Sequence, residues 1–274
     1  VETSVTPDDS ARTGAVRARI PRRTLRTDRW WLGPVLTTAG LAAFVVYATL
    51  RVLQQDHYWV AEHHYLTPFY SPCLAQQCAP EAALFGRLPL EFPPLVPYAL
   101  LSLPFLLLFR VTCYYYRKAY YRSIWQAPTA CAVREPHSRY TGETRPLMLP
   151  QNGHRYFFYV ALAITLVNTW DTAVAFFHGT DGGFGIGLGN LVMVVNVLML
   201  WGYTLSCHSC RHIMGGRLRS FDRHPVRYWM WSRVSTLNDR HMYFGWFSIA
   251  SLMATDAYIA LVAGGAFTDL RILN

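Results

Sequence analysis

The chain has 274 residues, is 52% hydrophobic and 15% aromatic, and carries only 15% charged residues alongside a formal net charge of +9. Soluble domains carry about 25% charged residues, so this composition excludes one, and it is too apolar for disorder. Six cysteines are too sparse for a disulfide scaffold, which leaves an all-α polytopic membrane protein with basic flanks.

Residues 1–29 hold seven Arg and no apolar run, so they read as a basic cytoplasmic arm rather than a signal peptide. No nucleic-acid-binding fold accompanies them, and no nucleic-acid partner is expected. A transmembrane domain over residues 30–267 then offers five stretches of the roughly 20 apolar residues that a spanning helix needs: about 30–50, 93–116, 156–177, 186–209 and 243–267. Residues 268–274 form a short tail. The second stretch contains Pro97 and Pro104, which a membrane bundle tolerates where neighbours satisfy the freed carbonyls.

The 25 Lys and Arg alternate by segment: seven in the arm, two in 51–92, eight in 110–155, none between the third and fourth stretches, seven in 211–240 and one in the tail. The positive-inside rule places the arm and the two basic loops in the cytoplasm and the C-terminus outside. A multi-pass protein of the plasma membrane is expected, its basic loops near anionic lipid. Cys73 and Cys78 fall in the outer loop, where an oxidising compartment makes a disulfide plausible.

Cys207-His208-Ser209-Cys210-Arg211-His212 packs four soft or borderline metal donors into six residues. If the fourth helix continues through it, Cys207 and Cys210 share one face and His208 and His212 another. The topology brings Cys113, His154 and His241 to the same inner level. Cysteine with histidine suits zinc or an iron–sulfur cluster of mixed ligation; the bland alternative is buried small cysteines with the basic groups at lipid headgroups. A second polar layer lies deeper, with Asn168, Trp170 and Asp171 in the third stretch, Asn196 in the fourth and Asp256 in the fifth. Carboxylates at that depth are costly. They read either as a quinone headgroup pocket or proton path, or as hydrogen-bonded glue between helices.

Four motifs carry a family resemblance. RVTCYYYRKAYYR (residues 110–122), YTGETRPL (140–147), QNGHRYFFY (151–159) and CHSCRH (207–212) resemble the membrane subunit of actinobacterial succinate dehydrogenase, and the likeness runs from the first span to the last. Five spans also resemble the dihaem cytochrome b anchors of related succinate dehydrogenases and fumarate reductases, but no His lies in the middle of any span. The resemblance implies a complex in which a flavoprotein oxidises succinate, an iron–sulfur subunit relays electrons, and this chain anchors both and delivers electrons to a quinone, expected to be menaquinone. For the haem-less branch it implies a Rieske-type 2Fe–2S cluster in the membrane subunit. Its ligands would be Cys207 and Cys210 with two of His154, His208, His212 and His241, and Cys113 as the alternative thiolate. Tyr120, Tyr121, Arg122 and Trp125 are candidate docking contacts. Three alternatives stand beside it. Haem b would be held by His208 or His212 with His154 or His241. A membrane metalloenzyme would want an H-E-x-x-H motif, which is absent. A transporter centred on Asp171 and Asp256 would want an inverted repeat, which is also absent.

Overall fold

The structure is a computed structural model and describes residues 26–93, 95–127, 129–134, 136–137, 151–178 and 183–273. Most of the basic arm and the 140–147 motif lie outside the described residues. The chain divides into two compact units, Val1–Ala43 with Thr112–Asn152, and Phe44–Val111 with Gly153–Asn274.

The first unit contains the start of α1 (Leu32–Gln54) and all of α3 (Tyr114–Ser123). Cys113 caps α3 in an extended conformation (φ −64°, ψ 134°) and is buried. Tyr116 and Tyr121 turn inward, whereas Tyr114 and Trp125 are about half exposed. The Arg26 guanidinium donates to the Cys131 carbonyl at 2.8 Å and to Asp28 at 2.6 Å, and Arg117 donates to Gln151.

The second unit is built on α4 (His154–Ala175), α5 (Leu188–Leu205) and α8 (His241–Ala263), with α5 packed between the other two. Small residues make the approach close. Gly202 faces the Phe244 ring, where an added Cβ would lie 2.5 Å from a ring carbon, and Gly245 and Ser248 lie on the buried face of α8. Lipid supplies no hydrophobic drive between helices, so packing of small residues and polar contacts hold them together. Ser251 donates to Asn196 at 3.2 Å, while Thr165, Thr169 and Thr172 return their hydroxyls to carbonyls one turn back on α4. The short helices α6 (His208–Gly215) and α7 (Pro225–Asn238) pack on each other beyond α5.

Among the described residues, four helices are long and apolar enough to cross a membrane: α1, α4, α5 and α8. The second expected span is not one helix. Pro97 precedes a 3-10 turn at Tyr98–Leu101, and α2 follows only over Leu103–Val111. Proline lacks the N–H of the helical ladder and crowds the carbonyl behind it, so the stretch enters as a turn and a nine-residue helix packed on α4. Nine residues rise about 14 Å, short of a ~30 Å hydrocarbon core. The fourth span also ends early, at Leu205 rather than 209.

The segment between α1 and α2, expected as a loop, is a folded cap. Its hairpin pairs β1 (Trp59–Val60) with β2 (Tyr65–Leu66). Cys73 and Cys78 are joined as a disulfide, and Tyr58, Tyr70 and Tyr98 pack ring on ring. β3 (Ile186–Gly187) pairs with β4 (Arg271–Leu273) at the same end. The hairpin and this second strand pair meet at Tyr65, which is fully buried. Its hydroxyl lies 2.8 Å from Asn190 Oδ1 and 2.9 Å from Asp269 Oδ2, and Asp269 Oδ1 accepts from Tyr258 at 2.5 Å and from the Gly189 N–H at 2.9 Å. A Cβ on Gly189 would come within 2.3 Å of the Tyr65 ring. Gly189→Ala should therefore overpack this clasp and destabilise by about 1–3 kcal/mol, seen as a lower thermal midpoint of the purified protein; an unchanged midpoint would show that the ring can retreat.

The cap also buries two histidines. His64 stacks on His178 at 4.4 Å and meets the Trp59 ring edge-on, and burial together with His178 pushes it from 6.5 down to about 4. A folded-state value below the unfolded one means that the fold favours neutral imidazole. This contribution is whole above about pH 6.5 and is lost as the pH falls from there through about 4. His64→Phe should flatten that acid dependence in thermal melts between pH 7 and pH 4.5, and equal slopes in both proteins would refute it.

A candidate cysteine and histidine centre at a helix break

The helix expected to run through Cys207–His212 does not continue. α5 stops at Leu205, Cys207 is extended (φ −66°, ψ 143°), and α6 begins at His208 with Cys207 as its cap. The reason is local. The Ser206 carbonyl, which would accept from the helix four residues on, instead accepts from Asn238 Nδ2 at 2.6 Å. The Ser206 hydroxyl donates back to the Tyr203 carbonyl at 3.1 Å. The break separates the facing of the two cysteines from the shared face that a continuous helix implied. It also aims the Ser209 N–H at Cys207 Sγ, 3.4 Å away. An N–H donor and a helix N-terminus both favour the thiolate form of a cysteine.

Both thiols are buried, Cys207 at 1% exposure and Cys210 at 2%. Of the four histidines expected near them, two are brought in. His154 Nε2 lies 3.2 Å from Cys207 Sγ, and its ring lies flat on Phe109 at 4.8 Å. His241 is buried, its ring flat on Tyr203 at 4.9 Å and its Nδ1 2.7 Å from Ser206 Oγ. The direction of this contact follows the imidazole tautomer: with Nδ1 as the donor, the ring's lone pair lies on Nε2. Fixing one imidazole nitrogen so that the other can ligate is the usual second-layer arrangement of a metal-binding histidine. Phe109 and Tyr203 meet edge-on at 5.3 Å, and the Arg110 guanidinium lies 4.8 Å from the Tyr203 ring while donating to Ser248 at 3.1 Å. His208 is exposed but within electrostatic reach of His154 and His241; His212 is exposed. Cys113 belongs to the other unit.

The donors suit a mixed thiolate and imidazole centre in chemistry and burial. Their convergence is partial: among the described residues no three Cys, His, Asp or Glu side chains form a ready metal group, while His154 approaches Cys207 directly.

The deeper polar layer is not one pocket. Asp171 accepts from Ser71 of the cap. Asp256 is fully buried and its Oδ2 accepts from Arg51 Nε and the Tyr47 hydroxyl, both at 2.7 Å. Asn168 donates to the Ile164 carbonyl, Asn196 accepts from Ser251, and Trp170 points outward at 56% exposure. Arg51, Ser71, Tyr47 and Asp269 were not singled out from the sequence; the available signal was that Arg51 is a charge inside an otherwise apolar run. A cavity of about 410 Å³ opens beside this layer, walled by Phe44, Phe69, Leu103 and Leu107, with Arg110 as its charged group and Asn168 beside it. Removing one partner of a buried ion pair strands the other charge, at about 3–5 kcal/mol. Arg51→Met alone should destabilise by that order, and Arg51→Met with Asp256→Leu should recover most of it in thermal melts; equal loss in the single and double variants would remove the pair from the account.

No curated protein matches the chain. One solved structure, the Mycobacterium smegmatis Sdh1 complex in the apo form, contains a chain 60% identical to this one, with a TM-score of 0.87, covering 96% of this chain and all of that one. The family model for actinobacterial succinate dehydrogenase subunit SdhC matches residues 32–265. The four motifs, the apolar helices and the matched span agree: this chain belongs to the SdhC family and is a membrane subunit of actinobacterial succinate dehydrogenase.

Proposed function

We propose that this chain anchors the flavoprotein and iron–sulfur subunits of succinate dehydrogenase in the plasma membrane and passes their electrons to a quinone, through a Rieske-type 2Fe–2S centre held at the break between α5 and α6. The observation that carries the reading is the pair of buried thiols at that break, with His154 Nε2 3.2 Å from Cys207 Sγ. Bound there, a centre of mixed thiolate and imidazole ligation supplies one-electron transfer at a higher potential than an all-thiolate one, which suits delivery toward quinone. Cys207 and Cys210 would be the thiolate ligands, His154 and His241 the imidazoles, and Cys113 and His208 the alternatives.

The chain's own residues have definable work. Ser209 stabilises the Cys207 thiolate, Ser206 holds the His241 ring through Nδ1, and Phe109 and Tyr203 fix the two rings and keep water out. The cavity beside Arg110 suits an apolar quinone tail with a carbonyl near the guanidinium. The arginine-rich segments 110–155 and 211–240 adjoin the same ends of α4 and α5, which favours that end as the cytoplasmic, partner-facing one.

The test is made on the purified complex. Cys207→Ser, Cys210→Ser, His154→Ala and His241→Ala should each lower non-haem iron and remove a reduced-state paramagnetic signal that stays with this chain. Quinone reduction should fall to background while succinate oxidation with an artificial acceptor persists. Full iron and normal quinone reduction in all four variants would reject the centre, and a haem band in the optical spectrum would replace it with a cytochrome reading.

A further inference from the structure

Asp256 carries a feature that an ordinary buried ion pair lacks. Its Oδ2 holds both donors, Arg51 and Tyr47, while Oδ1 is buried with no hydrogen-bond partner among the described residues. A carboxylate oxygen in that state is strongly disfavoured unless a proton or water reaches it. On the far side of Tyr47 and Arg51 lies a cleft of about 560 Å³ at the disulfide-bearing end, walled also by Gln54, Asp56, His57 and Ala260. The volume far exceeds what a water molecule needs, and Tyr47, Arg51, Gln54, Asp56 and His57 supply polar partners along an otherwise apolar wall. Asp56 and His57 stand at its mouth, 74% and 47% exposed and 3.2 Å apart. Tyr47 therefore touches both compartments, since it lines the cleft and its hydroxyl donates to Asp256. Arg51 ties the inner carboxylate to the mouth, donating to Gln54 Oε1 and to the carbonyls of Asp56 and His57. Its guanidinium excludes a metal cation as the ligand and leaves the proton.

From Asp256 a polar seam continues along α8 toward the cysteine end. Thr255 and Ser248 are buried, Ser251 bonds to Asn196, and Ser248 accepts from Arg110 at the wall of the larger cavity. We infer that Tyr47 and Asp256 form a proton inlet, by which protons consumed in quinone reduction enter from the aqueous phase at the disulfide end. Hydronium in the cleft would give a proton to the Tyr47 hydroxyl, leaving water there, as Tyr47 passes its own to Asp256 Oδ2, the oxygen it contacts, while the unpartnered Oδ1 is the position from which the carboxyl can meet a water on the inner side. Two such protons, with two electrons from succinate, convert quinone to quinol. This rests on the quinone reading above.

The test uses the whole complex in liposomes with a pH dye trapped inside. Succinate is added outside, so that only complexes with the flavoprotein outward turn over and the disulfide end faces the lumen. With a short-chain quinone as acceptor, the lumen should become alkaline in step with turnover. Tyr47→Phe and Asp256→Asn should each slow quinone reduction by at least about tenfold, at the low end of what a positioned proton-transfer group contributes. In Tyr47→Phe, iron content, subunit composition and artificial-acceptor activity should stay at wild-type levels. As Tyr47→Phe removes one oxygen and leaves the ion pair, it separates relay from folding. Proton uptake from the outer solution alone, or wild-type quinone reduction in Tyr47→Phe and Asp256→Asn, would overturn the inlet. Wild-type complex that oxidises succinate but reduces no quinone would overturn the quinone reading instead.

Discussion

Of the 23 residues of α1, only Arg51 and Val52 are buried. The helix lays Phe44, Tyr47, Ala48 and Val52 against the cap, and the bond between Arg51 and Asp256 adds the polar tie to α8. Water is absent from the hydrocarbon layer, and a charge placed there must find its counter-charge within the protein. That requirement ties the end of α1 to α8, and Arg51 then fixes the start of the cap through the carbonyls of Asp56 and His57. Arg110 is held in part by the Ser248 hydroxyl and the face of the Tyr203 ring.

The placing of Cys207 and Cys210 at the α5–α6 junction follows from a competition for one carbonyl. Asn238 takes the Ser206 oxygen, the helical ladder loses a rung, and the chain leaves Cys207 extended. A continuous helix would have committed Cys207 and Cys210 to a single stripe. The break lets α6 start afresh with its N-terminus at the sulfur. Cys113 adopts nearly the same backbone conformation at the start of α3, so the chain uses one local device at two of its cysteines.

Much of this was legible in the residues. Four apolar helices, the charge alternation and the cysteine-and-histidine cluster all follow from composition and period. The second span misled because hydropathy counts apolar residues and not hydrogen bonds: Pro97 and Pro104 decide the backbone there. The break after Leu205 had no signal in CHSC itself, since it depends on Asn238, some thirty residues on. The partners of the deep carboxylates were hidden for the same reason. Asp171 and Asp256 read as a pair at equal depth, yet one is held by Ser71 and the other by Arg51 and Tyr47, residues that count separately as loop and topology charge.

The clasp around Tyr65 has a consequence for how the protein is made. Tyr65 emerges early in synthesis, but its partners Asn190, Tyr258 and Asp269 follow more than a hundred residues later, Asp269 only after the last long helix. Until then the hairpin carries a polar hydroxyl with its intended pocket missing, and Asn190 at the head of α5 waits with it. Contacts of such long sequence separation form late, and unfinished surfaces of this kind are what quality control detects. Closure of the clasp thus marks the point at which the bundle has been fully delivered to the membrane, and a chain stalled before residue 269 is left with its cap open.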